Sequence, residues 1–154
     1  MANAVVITGG NLGDVAGNLA AAREMMAAEV GRIVAESSVR ESAPWGFEAS
    51  ERFLNQVLVV ETSLEPEDML TRMQAIEKRL GRERPANAKK RYTSRTMDID
   101  LLFYDNQVID TPILTLPHPR IAERMFVLDL LCEVMPEFRH PVVGKTMKEL
   151  KIEN

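Results

Sequence analysis

An α+β architecture, with two helices interleaved among four strands in the order β-α-β-β-α-β, is predicted by three features of this sequence. Apolar residues recur at helical spacing in two stretches, Val15, Leu19, Ala22, Met26 and then Met69, Leu70, Met73, Ile76, Leu80. Runs rich in β-branched residues at positions 5–8, 33–39 and 53–62, and an alternating run from Asp98, flank those stretches. Glycine and proline fall between these runs rather than inside them.

Residues 5–8 read as a buried first strand. Gly9-Gly-Asn-Leu-Gly13 then reads as a tight connection into a helix capped by Asp14. It lacks the Gly-Lys-Ser/Thr ending of a nucleotide-binding P-loop and does not fit the dinucleotide spacing. Strands at 33–39 and 53–62 follow, separated by a loop. Pro66 in the first turn and Gly81 as terminator bound the second helix. The Asp98 strand and a short Val108-Ile109 strand, joined through Asp105-Asn106, read as a hairpin. Pro117-His-Pro119 breaks the chain before a helix over residues 120–135 that Pro136 bounds, and a short last helix starts near Thr146. The order matches the ferredoxin-like split-βαβ plan, an antiparallel sheet with helices on one face, here followed by C-terminal hairpin and helix additions.

The 154 residues, 45% hydrophobic and 27% charged, fit one domain over 1–154. The start of the chain carries neither a secretory signal pattern nor a membrane span, so a cytoplasmic protein is expected, and a monomer. The single Cys132 excludes an internal disulfide and follows the apolar pattern of a core thiol. With only His118 and His140 beside it, a zinc site of nitrogen and sulfur ligands is not expected.

The chemistry concentrates around Asp98 and Asp100. On an extended strand the two carboxylates project to one side while Ile99, Leu101 and Phe103 project to the other, toward a core. Two like charges side by side repel and call for a cation. Paired oxygen ligands suit Mg²⁺, which is usually held by one or two carboxylates and substrate phosphates.

Directly upstream, residues 78–95 hold eight of the 19 Lys and Arg against one acid, Glu83, although the whole chain has a net charge of −4. Alone, such a run reads as hydrated surface; beside the Asp pair it reads as a focused anion site. Gln74 and Glu77, three apart on the second helix, read either as solvated surface or as two groups facing one ligand. His118, held between prolines, and Arg124 would suit a second phosphate clamp, or His118 is simply a loop residue. Residues 42–55 hold Trp45, Phe47 and Phe53, three of eight aromatics, with Asn55 offering a donor and an acceptor. Such a loop suits a flat heterocycle, although pattern does not separate stacking rings from core rings. An RNA-binding module and an oligomerisation domain share this fold plan; net acidity and the Asp pair argue against the first, and the clustered arginines against the second.

Together these residues resemble the 6-hydroxymethyl-7,8-dihydropterin pyrophosphokinases of folate biosynthesis, over almost the whole chain. Arg-Tyr-Thr-Ser-Arg95-Thr-Met-Asp98-Ile-Asp100-Leu-Leu is similar to the family signature, supported by Gly9-x-Asn-Leu-Gly13, Phe53-Leu-Asn55, Gln74-x-x-Glu77, Gly81-Arg82-x-Arg84 and Leu-x-x-Pro117-His118-Pro. The resemblance implies transfer of the β,γ-pyrophosphoryl unit of ATP to the pterin hydroxymethyl group, with release of AMP and use of two Mg²⁺ ions. It implies Asp98 and Asp100 as metal ligands, with Arg82 and Arg95 catalytic beside them. It implies nucleotide contacts from Gln74, Glu77, Arg84, Tyr92, His118 and Arg124. For the pterin it implies stacking between Phe53 and Phe126, with polar partners at Ser42, near Trp45 and at Asn55. Residues 82–95 and the 42–52 loop are then expected to close as lids over ATP.

Overall fold

The first strand, β1 (Ala2–Gly10), is buried at every position except Asn3, so it belongs in the middle of a sheet with both faces covered. The computed structural model describes residues 1–11, 13–42, 53–81 and 97–153. On one side β1 pairs antiparallel with β4 (Phe53–Thr62), and on the other with β5 (Asp98–Tyr104). β2 (Arg32–Glu36) lies outside β4, giving the order β2-β4-β1-β5. The fold is therefore α+β with an antiparallel sheet.

The strand expected at 33–39 ends at Glu36, and a separate short strand follows from Arg40. β2 pairs with the C-terminal half of β4, and β3 (Arg40–Ser42) with its start. Ser37 makes the break: its hydroxyl accepts the Val57 N–H at 2.9 Å, and its carbonyl accepts from the Gln56 side chain at 2.9 Å. β1 is also longer than the apolar run suggested. Gly9 and Gly10 are strand residues, and the turn into α1 (Val15–Glu29) uses Gly13, whose φ of 76° favours glycine. Asp14 caps α1, as expected, by accepting the Gly17 N–H at 3.1 Å.

Helices cover both faces, not one. α1 and α2 (Pro66–Arg79) bury Leu19, Met26, Met69, Met73 and Ile76 against Ala4, Val6, Leu58 and Val60. α3 (Met125–Val134) and α4 (Met147–Glu153) bury Val127, Leu128, Leu131, Met147 and Leu150 against Val5, Ile7 and Val57. The C-terminal additions thus form a second core. α3 starts later than position 120 because a 3₁₀ turn, Ile121–Glu123, precedes it and Arg124 at its N-cap is extended. At the start of α4, Thr146 and Glu149 form a reciprocal capping box with bonds of 3.1 and 3.2 Å.

Two further expectations are corrected along β5. The Val108-Ile109 segment does not pair with it: β6 (Ile109–Asp110) pairs with β7 (Thr115–Leu116) in a separate two-stranded sheet. The register also slips, because Val5 lies opposite Phe103 while Val6 lies opposite Leu101, leaving Leu102 as an extra residue. This bulge turns Phe103 onto the α3 face, away from Ile99 and Leu101. Phe103 there meets Phe138 edge-on at 4.8 Å. Among the described residues no helix is long and apolar enough to cross a membrane.

Candidate active site

Register alone assembles the site from three strands. Gly9 on β1 lies opposite Asn55 on β4 and opposite Asp98 on β5; one step deeper, Ile7 lies opposite Val57 and Asp100. Directly opposed residues share a face, and Ile7 and Val57 belong to the core under α3. Asn55, Asp98 and Asp100 therefore project from the α3 face at one end of the sheet. Phe53 follows by alternation, and Phe126 packs against the same core from α3. Ser42 lies opposite Phe53, which brings its backbone to this end as well. The expectation that Asp98 and Asp100 share one side, opposite Ile99 and Leu101, is met; both carboxylates are half-buried.

Gly9 has a role that its reading as a turn residue missed. A Cβ there would collide with Asn55 Oδ1 and lie 3.2 Å from the Leu54 carbonyl oxygen. The carboxamide thus lies across bare backbone in the central strand, with Asn55 only 7% exposed. A glycine inside a strand run is the signal that could have shown this, since it often marks a close approach.

Gln74 and Glu77 diverge. Gln74 is exposed, whereas Glu77 is 5% exposed and its carboxylate accepts the Ile99 N–H at 2.7 Å. Glu77 thus grips the strand between the two aspartates.

His118 sits at the same end. Its N–H donates to the Leu102 carbonyl of β5 at 3.0 Å, and its Nδ1 accepts the Arg120 N–H at 3.3 Å. In the neutral imidazole the proton is therefore on Nε2. Burial, reinforced by the Arg124 and Arg120 cations, pushes its pKa below the ordinary histidine value, while Asp98 pulls it up. His118 is accordingly close enough to Arg124 and Asp98 for their charges to act on its imidazole.

Trp45, Arg82, Arg84, Tyr92 and Arg95 lie outside the described residues, as do both expected lids apart from Ser42. Among the described residues no group of three or more His, Cys, Asp or Glu is placed to hold a metal. Two carboxylates on one strand edge fit Mg²⁺, whose remaining positions are commonly filled by water and substrate phosphate oxygens. A cleft of about 490 Å³ lined by Asn3, Val5, Val59, Asp105, Met135 and Phe138, among others, contains none of the expected site residues.

Comparison with known proteins gives the family of the chain. Residues 5–136 match the family model described as 7,8-dihydro-6-hydroxymethylpterin-pyrophosphokinase. A protein of Aquifex aeolicus named 2-amino-4-hydroxy-6-hydroxymethyldihydropteridine pyrophosphokinase is 38% identical over 154 residues, covering 100% of this chain and 93% of its own. A Porphyromonas gingivalis protein of the same name is 41% identical over 142 residues, covering 92% of this chain and 95% of its own. The crystal structure of Plasmodium falciparum HPPK-DHPS with pteroate superposes with a TM-score of 0.78 at 16% identity, over 99% of this chain and 44% of that one. That likeness carries the fold alone, and this chain spans less than half of the Plasmodium protein. By its match over residues 5–136, the chain belongs to the 7,8-dihydro-6-hydroxymethylpterin-pyrophosphokinase family.

Proposed function

We propose that this chain transfers the β,γ-pyrophosphoryl group of ATP to the hydroxymethyl group of 6-hydroxymethyl-7,8-dihydropterin, forming AMP and the pterin pyrophosphate for folate biosynthesis. Family membership and the names of relatives support the reaction. The observation that carries the site assignment is the row Asn55, Gly9, Asp98 across three adjacent strands. With only β1 between them, the Asn55 carboxamide and the Asp98 carboxylate share one face, which suits a heterocycle reader beside a carboxylate that holds a phosphate-bound metal.

In this reading Phe53 and Phe126 stack on the pterin while Asn55 reads its polar edge, with Ser42 and the chain near Trp45 completing the pocket. Asp98 and Asp100 hold two Mg²⁺ ions, which when bound neutralise phosphate charge and align the oxygens of the displacement. Neutral His118 donates Nε2–H to a phosphate oxygen, and Arg124 supplies a cation beside it. Gln74 and Arg84 with Tyr92 bind the nucleotide, and Arg82 and Arg95 offset charge on the transferred group. The acceptor oxygen bonds to the β-phosphorus as the bridge to the α-phosphorus breaks, so positioning and electrostatics supply most of the catalysis. The β-α-β-β-α-β order with strands β2-β4-β1-β5 supports a ferredoxin-like plan built as one domain, and we expect it to act as a monomer.

The test mixes purified protein with ATP, Mg²⁺ and the hydroxymethyl-dihydropterin. AMP equal to the pterin consumed is expected, and ADP in its place would overturn the assignment.

A further inference from the structure

We infer that Glu77 is a positioning residue, which sets the direction of the Asp98 and Asp100 carboxylates by holding the backbone between them. The inference rests on the reading of those aspartates as the metal pair.

Among the described residues β5 is the last strand in the sheet order, so one edge of its backbone has no ladder partner there. Two groups along that edge are met from outside the sheet. The Leu102 carbonyl accepts the His118 N–H at 3.0 Å, and the Ile99 N–H donates to Glu77 Oε2 at 2.7 Å. The second bond lies on the peptide that joins Asp98 to Ile99. Fixing that peptide restricts ψ of Asp98 and φ of Ile99, and with them the directions of the flanking side chains. Fixed carboxylates need less reordering when a cation arrives, which is how outer partners tune metal sites.

The position of Glu77 in its helix supports a positioning role over simple stability. It stands in the last turns of α2, beside Lys78 and Arg79, where the helix dipole disfavours an anion and favours the cations that follow. Its carboxylate is also buried, at 5% exposure, which is costly for a charge. A buried carboxylate near a helix C-terminus, bonded to the first of the two peptides between Asp98 and Asp100, is best explained by what it orients. Gln74, one turn earlier and exposed, remains available to a nucleotide.

The test compares the full-length protein with Glu77→Met, which keeps volume but removes the acceptor, and Glu77→Gln, which keeps an acceptor oxygen. Amide exchange at Ile99, read by NMR without ATP or metal, judges the contact itself; steady-state kinetics with Mg²⁺ judge its consequence. Glu77→Met is expected to speed Ile99 exchange and lower kcat about 10–100-fold with KM for ATP unchanged. Glu77→Gln is expected to recover protection and most of the lost rate. If Glu77→Met does not fold, retained protection and rate in Glu77→Gln support the inference, and loss of both overturns it. Unchanged Ile99 exchange in Glu77→Met, or a defect confined to KM for ATP, also overturns it while leaving the reaction assignment intact. Failure of the wild-type protein to form AMP would overturn the reaction assignment, while Ile99 exchange would still report on the Glu77 bond.

Discussion

Asn55 Oδ1 occupies the space that a side chain on Gly9 would need, so the central strand of the sheet yields its surface to a carboxamide from the neighbouring strand. In Gly9→Ala the new methyl must push Asn55 aside, because the other close atom, the Leu54 carbonyl oxygen at 3.2 Å, is backbone. The expected loss of stability is about 1–3 kcal/mol, typical of overpacking, with KM for the pterin raised and KM for ATP little changed. Melting curves and kinetics with each substrate varied check this. Asn55→Ala made together with Gly9→Ala should restore much of the stability but not the pterin affinity, a non-additivity expected of touching residues.

Asp100→Ala removes half of a like-charged pair that is only half-buried, so folding should not suffer. Turnover should fall by about 10²–10³-fold or more, as expected when electrostatic stabilisation of a transferring phosphoryl group is lost. Circular dichroism and AMP release measured on one preparation separate these outcomes. Retained Mg²⁺-dependent turnover would remove Asp100 from the metal site.

His118 should titrate below ordinary histidine, because burial and the Arg124 and Arg120 cations all disfavour its charged form. Arg124→Ala removes one cation and should raise the midpoint, whereas Asp98→Asn removes the opposing anion and should lower it. NMR of the imidazole nitrogens in the ligand-free protein reads both shifts, and near neutral pH it should show the Nε2–H tautomer that the Arg120 bond to Nδ1 selects.

His140 makes stability pH-dependent away from the site. Its Nδ1 accepts the Val142 and Val143 N–H groups at 3.2 and 3.1 Å, and burial lowers its pKa. With the folded value depressed, the unfolded chain takes up the proton first. This contribution is therefore complete above the unfolded value near about 6.5 and is lost as pH falls below it, at no more than about 1.4 kcal/mol per pH unit. Denaturant midpoints between pH 7.5 and 5 should fall less steeply in His140→Gln than in the wild type.

Much of this protein is legible in one dimension because its strongest signals are local. Alternation along a strand does not depend on which strand lies beside it, so Asp98 and Asp100 share a side from spacing alone. The Asp14 cap, Pro66 at the start of α2 and the positive φ of Gly81 are likewise local backbone chemistry. Other features depend on partners distant in sequence. The bulge at Leu102, which sends Phe103 to the other face, follows from register with β1, and the break at Ser37 depends on a bond to Val57. Gln74 and Glu77 are three residues apart, but only packing of α2 against β5 turns one outward and buries the other on Ile99. Residue identity and spacing along the chain set which side chains carry the chemistry and which of them share a strand face. The tertiary structure alone decided that Gly9 makes room for Asn55, that helices close both faces, and that Glu77 holds the backbone of the Asp pair, because each depends on atoms brought together only when separate elements pack.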